Sequence, residues 1–253
     1  MIRGLYTAAS GMITQSKRMD VISNNIANSN TTGFKKDLFV STVSPNVPIV
    51  SRGGGKGYKD VPRFNTVGPL NYITHVDEIH TVFTQGSLEE TQRTTDFAIR
   101  GQGFFVVNTP EGLRYTRDGA FVVDGNGFLV DTKGNYVMGE NGPIQLASDD
   151  FTVTSGGFVY QNDILVDRLN LVDFENPDSL RKIGDNLYIA TDQSVAAAFQ
   201  GEVIQGYLET SNVSALSEIV DMITATRAYE SNQRVVSMLD NTLDKAVNDI
   251  ARF

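Results

Sequence analysis

From Met222 onward, apolar residues recur every seven positions, at Met222, Tyr229, Val236, Leu243 and Ile250. A companion series sits three residues away at Ala225, Asn232, Leu239 and Ala246. Steps of three and four place both series on one stripe of an α-helix, with Arg227, Glu230, Arg234, Asp244 and Lys245 on the opposite face. The other end of the chain repeats the pattern. Leu5, Met12, Met19 and Ile26 are spaced by sevens, with Ala8, Ala9 and Ile22 filling the seam. The pattern predicts an amphipathic helix at each terminus, both with stripes at the coiled-coil period. The first is expected from about Ile2 to about Ala27. The second is expected to start after the N-cap oxygens of Asn212–Ser214, with Glu218 at the positive end of its dipole. Either helix alone would fit simple packing on its own domain. One at each end, with a different pattern between them, favours a terminal helical pair.

The stretch Ser23–Phe34 is rich in asparagine, at Asn24, Asn25, Asn28 and Asn30. Asparagine side chains compete for backbone hydrogen bonds, so this stretch is expected to end the helix, with Gly33 free to take a positive φ. Residues 36–75 follow as an irregular arm, because Pro45, Pro48, Pro62 and Pro69 break long elements. The run Gly53-Gly54-Gly55-Lys56-Gly57 lacks the Ser or Thr after lysine that a phosphate-binding loop requires.

Over residues 76–200 the period switches to two. Short runs such as Phe97-Ala98-Ile99, Phe104-Phe105-Val106-Val107 and Phe128-Leu129-Val130 alternate with turn signals such as Thr109-Pro110-Glu111-Gly112 and Asp124-Gly125-Asn126-Gly127. This is the signature of an antiparallel β domain. The fold class is therefore α+β: an N-terminal helix (1–35), an arm (36–75), a β-rich domain (76–200) and a C-terminal helix (201–253).

Composition narrows the function. The 253 residues carry a formal charge of −9, and their basic residues form no stripe, which argues against a nucleic-acid partner. No apolar run is long enough to span a bilayer, and the N-terminus lacks the continuous apolar core of a secretory signal. Cysteine is absent, which removes disulfides, thiolate metal sites and thiol nucleophiles. His75 and His80, five apart beside Asp77 and Glu78, do not share a helical or strand face suited to a metal. Asp124-Gly-Asn-Gly lacks the glutamate of a calcium loop and is expected to be a hairpin turn. Arg117–Asp118 and Asp149–Asp150 have no base or nucleophile beside them. No enzyme, cofactor or metal is expected.

Several of these segments resemble the bacterial flagellar rod and hook axial proteins. Met19 to Asn28, with Asn24, Asn25, Ile26, Ala27 and Asn28 at its end, followed by Thr31-Thr32-Gly33-Phe34-Lys35, is similar to that family's N-terminal signature. Gln85-Gly86-Ser87-Leu88, Asp96 to Phe105 and Tyr115-Thr116-Arg117-Asp118-Gly119 resemble its β-domain motifs. Gln205 to Val213 and Arg227-Ala228-Tyr229-Glu230 resemble its C-terminal ones. The likeness is weakest over residues 38–72, where proximal rod, distal rod and hook types differ.

The resemblance implies a rod protein of proximal or distal type. Its terminal helices would form a coiled coil in an inner tube, with the β domain outside. Its partners would be copies of itself, other rod and hook subunits, and the flagellar type III export apparatus. It would reach the basal body without a cleaved signal peptide and transmit torque from motor to hook. A secreted module binding an envelope polymer such as peptidoglycan is the alternative, and would need its exposed aromatics gathered in one groove.

Overall fold

The computed structural model describes residues 2–43, 47–53, 63–70, 74–148 and 150–250. Helix α1 spans Ile2–Ala27 and helix α2 spans Ala215–Ile250, and every strand lies between them. This is an α+β chain with a β-rich middle, as the change of period predicts.

Helix α1 stops where asparagine chemistry stops it. Asn28 Nδ2 donates to the Asn24 carbonyl at 2.8 Å and Ser29 Oγ to the Ile26 carbonyl at 2.8 Å. Each side chain adds a second donor to a carbonyl of the last turn that a backbone amide already bonds, Asn28 N to Asn24 at 3.1 Å and Ser29 N to Ile26 at 3.2 Å. Gly33 then adopts φ +64°, and a Cβ there would collide with the backbone of Arg117 and Asp118. The position needs glycine both for its dihedral and for the space.

The main sheet has nine strands, with Phe104–Thr109 near its middle, bonded to Gly112–Thr116, Tyr136–Val137 and Leu171–Phe174. Four consecutive apolar residues open this strand, and each is buried. Strand alternation sends Phe105 and Val107 to one face and Phe104 and Val106 to the other. Phe105 and Val107 join a core of Phe97, Ile99, Phe121, Leu129, Val137 and Leu146. Phe104 packs with Phe174, Leu180 and Tyr188. A strand covered on both sides reads as a continuous apolar run rather than an alternating one. The Asp124 turn is a hairpin, with its carboxylate accepting from the Asn126 and Phe128 amides at 2.9 and 2.8 Å.

Residues 36–75 depart from the expected irregular arm. They contribute strands Asp37–Val43, Val47–Gly53 and Arg63–Leu70, and the start of Thr74–Thr81. Val47–Gly53 and Arg63–Leu70 form an antiparallel ribbon in which Pro48 faces Pro69. A two-stranded ribbon is all edge, so proline's missing N–H interrupts no central ladder. Gly54–Gly57 lie outside the described residues.

The chain divides into two compact units, one of residues 1–23, 39–79 and 219–253 and the other of residues 24–38 and 80–218. These bounds differ from those the pattern predicts. The asparagine-rich stretch belongs with the β-rich unit, and the strands of the arm belong with the terminal helices.

Candidate assembly site

In the β-rich unit the asparagine-rich stretch is held by polar side chains. Asn25 is 1% exposed. Its Oδ1 accepts from the Asp37 amide at 3.0 Å, and its Nδ2 donates to the Asp37 carbonyl at 2.9 Å and to Glu218 Oε2 at 3.1 Å. The other oxygen of Glu218 pairs with Lys36 Nζ at 2.5 Å. Asp37 in turn accepts from Thr81 Oγ1 at 2.9 Å and from Lys182 Nζ at 3.1 Å. Lys182 also lies 3.8 Å over the ring of the buried Phe34. Asn24, Ala27 and Asn28 serve the helix end instead, with the Asn28 carbonyl accepting from Thr31 N at 3.2 Å.

Deeper in the same unit sits a charged triad. Lys35 is 0% exposed, Arg117 4% and Glu209 1%. Lys35 Nζ forms an ion pair with Glu209 Oε1 and donates to the Thr84 carbonyl at 2.8 Å. Arg117 Nη1 donates to Glu209 Oε2 at 3.3 Å and its Nη2 to the Gly101 carbonyl at 2.7 Å. The Gly86 amide adds a bond to Glu209 at 2.9 Å, and the Gly33 amide donates to the Glu209 carbonyl at 2.8 Å. Burial pulls the Lys35 ammonium and the Arg117 guanidinium below their ordinary values, against the stabilising Glu209 carboxylate. Asp118 lies beside this triad in sequence. Burial holds its carboxyl above the ordinary 3.8, although Thr32 Oγ1 and the Ala120 amide donate to it at 2.7 and 3.1 Å.

A cleft of about 290 Å³, lined in part by Asn24, Asn28, Phe34, Asp118, Lys182 and Asp185, opens on this region. Among the described residues, no group of His, Cys, Asp or Glu is placed to hold a metal. His80 Nε2 lies 3.4 Å from Asp178, while the side chain of His75 lies outside the described residues. The motif segments that carry the resemblance contain Lys35, Arg117 and Glu209, but spacing alone gives those residues no role.

In the other unit the terminal helices meet along a run of small and polar residues. A Cβ at Gly4 would lie 3.4 Å from Leu239 Cδ1, and one at Gly11 would lie 2.8 Å from Asn232 Nδ2. Thr226 Oγ1 approaches Met19 Sδ at 3.5 Å, and Arg18 pairs with Asp221 at 3.9 Å. Contacts that climb α1 by sevens descend α2 by sevens, so the helices lie antiparallel. Gly11 is explained by this close approach. Ala225 is fully buried, and Met222, Tyr229, Val236 and Ala246 are half-buried.

The first helix buries Ala8 and Ile22 of its predicted seam and, beside them, residues outside it. Its buried residues are Ala8, Thr14, Val21, Ile22 and Asn25, Met12 and Met19 are half-buried, and Leu5 is 37% exposed. Ile26, whose carbonyl bonds Ser29, is half-buried in the β-rich unit. On α2, Leu243 is 39% exposed, and the side chain of Ile250 lies outside the described residues. No helix among the described residues is long and apolar enough to cross a membrane.

Comparison with known proteins agrees with both ends and the middle. Residues 5–35 match a family model described as flagella basal body rod protein. Residues 98–175 match the flagellar hook protein FlgE/F/G D1 domain, and residues 204–249 match the flagellar basal body rod FlgEFG protein C-terminal region. The flagellar basal-body rod protein FlgG of Bacillus subtilis is 35% identical, over 98% of this chain and 99% of its own. FlgG of Borreliella burgdorferi is 36% identical, over 98% of each. FlgF of Caulobacter vibrioides is 35% identical, over 100% of this chain and 98% of its own. With the same end-to-end order of segments, this chain belongs to the family of flagellar basal-body rod proteins.

Proposed function

We infer that this chain is a structural subunit of the flagellar basal-body rod and assembles through its terminal helices into the hollow shaft that carries torque from motor to hook. The observation that carries this reading is the full-length likeness to rod proteins, joined to a helical pair whose seam is built from small residues. In this reading α1 and α2 form a coiled coil, and the stripes Leu5, Met12, Met19, Ile26 and Met222, Tyr229, Val236, Leu243, Ile250 provide its assembly surface. Leu5 and Leu243, exposed in the single chain, are then available to neighbouring subunits. Asn24, Asn25, Ala27, Asn28, Gly33 and Phe34 end the helix and hold the segment that follows it within the β-rich unit. The chain reaches the basal body through the flagellar export apparatus with its N-terminal residues retained.

The peptidoglycan-binding alternative is not favoured. Phe158 and Tyr136 belong to different sheets, and each exposed ring is engaged by its own neighbour, Arg168 over Phe158 at 4.8 Å and Phe128 edge-on to Tyr136 at 5.4 Å.

The test is deletion of the gene, followed by purification of basal bodies from the complemented strain. Loss of swimming and recovery of the chain in the rod, with its N-terminal residues still present by mass spectrometry, are expected. Normal swimming of the deletion strain, or basal bodies lacking the chain, would overturn the assignment.

A further inference from the structure

The sequence holds two Asn-Gly pairs, Asn126-Gly127 and Asn141-Gly142. Such a pair carries the chemistry to modify itself, which is one reason asparagine is a thermolabile residue. The glycine nitrogen loses its proton to water or base and attacks the asparagine Cγ. The carboxamide nitrogen leaves as ammonia and a succinimide ring closes. Glycine's missing Cβ keeps the nitrogen open to this attack. Water then opens the ring at one of its two carbonyls, leaving aspartate or isoaspartate. Because the nitrogen must give up its proton, a hydrogen bond that it already donates opposes the step.

The fold separates the two pairs on that point. Both asparagines are exposed, and both carboxamides donate to an aspartate, Asn126 to Asp124 Oδ2 at 3.3 Å and Asn141 to Asp167 Oδ1 at 2.8 Å. The Gly127 amide donates to the Asp124 carbonyl at 3.0 Å, and the Asn126 and Phe128 amides beside it are held by the Asp124 carboxylate. The Gly142 amide donates to no group among the described residues. A Cβ on Gly142 would meet nothing within 4 Å, whereas one on Gly127 would lie 2.3 Å from the Leu146 carbonyl oxygen. The nucleophile is engaged and crowded in the first pair and unengaged in open space in the second.

We propose that Asn141 is a self-modification site, converting to aspartate and isoaspartate, and that the conversion unfastens the turn Gly139–Gly142 from strand Ile164–Arg168. Asp167 is 9% exposed. Its carboxylate receives the Asn141 amide at 3.3 Å and the Arg168 amide at 2.8 Å, besides the Asn141 carboxamide. Conversion replaces the Nδ2 donor with an anionic oxygen facing that carboxylate, and two like charges at one site repel. Asp167 has little room to withdraw, since a Cβ at Gly139 would lie 2.3 Å from its Oδ2. The inference does not depend on the rod reading.

The purified full chain is incubated in mildly alkaline buffer, folded and, in parallel, in denaturant. Its peptides are followed by mass for exchange of amide for acid, and by chromatography for isoaspartate. In the folded chain Asn141 is expected to convert about fivefold faster than Asn126, the rate equivalent of one hydrogen bond of about 1 kcal/mol on the nucleophile. In denaturant the two rates should converge, because the fold no longer distinguishes the pairs. Asn141→Asp supplies the aspartate product directly, and its Tm at pH 7 should lie below that of the parent. Equal rates in the folded chain, a faster Asn126, or an Asn141 that converts only in denaturant would overturn the site. An unchanged Tm for Asn141→Asp would overturn its effect on the turn.

Discussion

The Lys35 ammonium and the Glu209 carboxylate meet in a site closed to solvent, although 174 residues separate them in the chain. Arg117 joins the same carboxylate through its second oxygen. One acid thus neutralises cations from two distant segments and ties the end of the asparagine-rich stretch to the strand before α2. The backbone reinforces the link, since the Gly33 amide bonds the Glu209 carbonyl at 2.8 Å.

Removing that acid strands two buried cations. Glu209→Ala is expected to cost about 3–5 kcal/mol, the usual range when one partner of a buried pair is deleted. Lys35→Met leaves the Arg117–Glu209 pair in place and fills the space with an apolar stem, so its loss should be smaller. Denaturant unfolding of both variants measures this, and a larger loss for Lys35→Met would contradict the role given to Glu209.

Asn25 bonds both backbone groups of Asp37 and one oxygen of Glu218. An aspartate there keeps the acceptor but turns the Nδ2 donor into an anionic oxygen facing a carbonyl and a carboxylate. Asn25→Ala should cost on the order of 1–3 kcal/mol for the buried groups left unpaired. Asn25→Asp should cost more at pH 7 through added repulsion. Equal stability of the two variants in thermal unfolding would show that the donor contacts contribute little.

Asp118 gives the stability of the β-rich unit a defined pH dependence. Its carboxyl is raised above 3.8 by burial, so the folded chain holds this proton more tightly than the unfolded chain. The resulting stability is fully present below pH 3.8 and is lost as pH rises through the folded-state value. Asp118→Asn retains an oxygen for Thr32 and Ala120 and removes the ionisation. The difference in Tm, variant minus parent, should therefore be more positive at pH 7 than at pH 4. A difference that is flat or reversed with pH would rule out a buried-carboxyl penalty.

The helical seam is tested by charge. Ala225 is fully buried, and an aspartate there places an unpaired carboxylate at a cost of several kcal/mol. Val236→Asp puts one on a half-buried position of the same stripe. Both variants should abolish rod assembly and swimming, while purified protein keeps the circular dichroism of its β-rich unit. Arg234→Asp breaks an exposed pair with Glu230 at 3.9 Å, worth a few tenths of a kcal/mol, and an exposed bond to the Glu230 carbonyl at 3.4 Å, and should swim. Normal assembly by both seam variants would sink the coiled-coil reading, and loss of the β signal would place α2 in the core of its own β-rich unit.

The sequence by itself determined what depends on local period and local chemistry. Helical spacing located α1 at Ile2–Ala27. Asparagine chemistry located its end, and the runs of two-period residues and Gly/Asn turns located the β-rich middle. The order of motifs from end to end also carried the family. What the tertiary structure alone decided depends on which distant groups meet. Spacing by sevens marked Leu5, but the buried side of α1 includes Thr14, which donates to Ser10 O at 2.9 Å and Thr74 O at 3.3 Å. A hydroxyl with buried acceptors can face inward while a leucine faces out, and periodicity weighs only hydrophobicity. The prolines of residues 36–75 predicted irregularity because nothing local shows that a two-stranded ribbon will tolerate them. The triad of Lys35, Arg117 and Glu209 was invisible for the same reason. A charge in sequence reads as solvated, and it becomes structural only when folding brings its counter-charge within reach and excludes water from both.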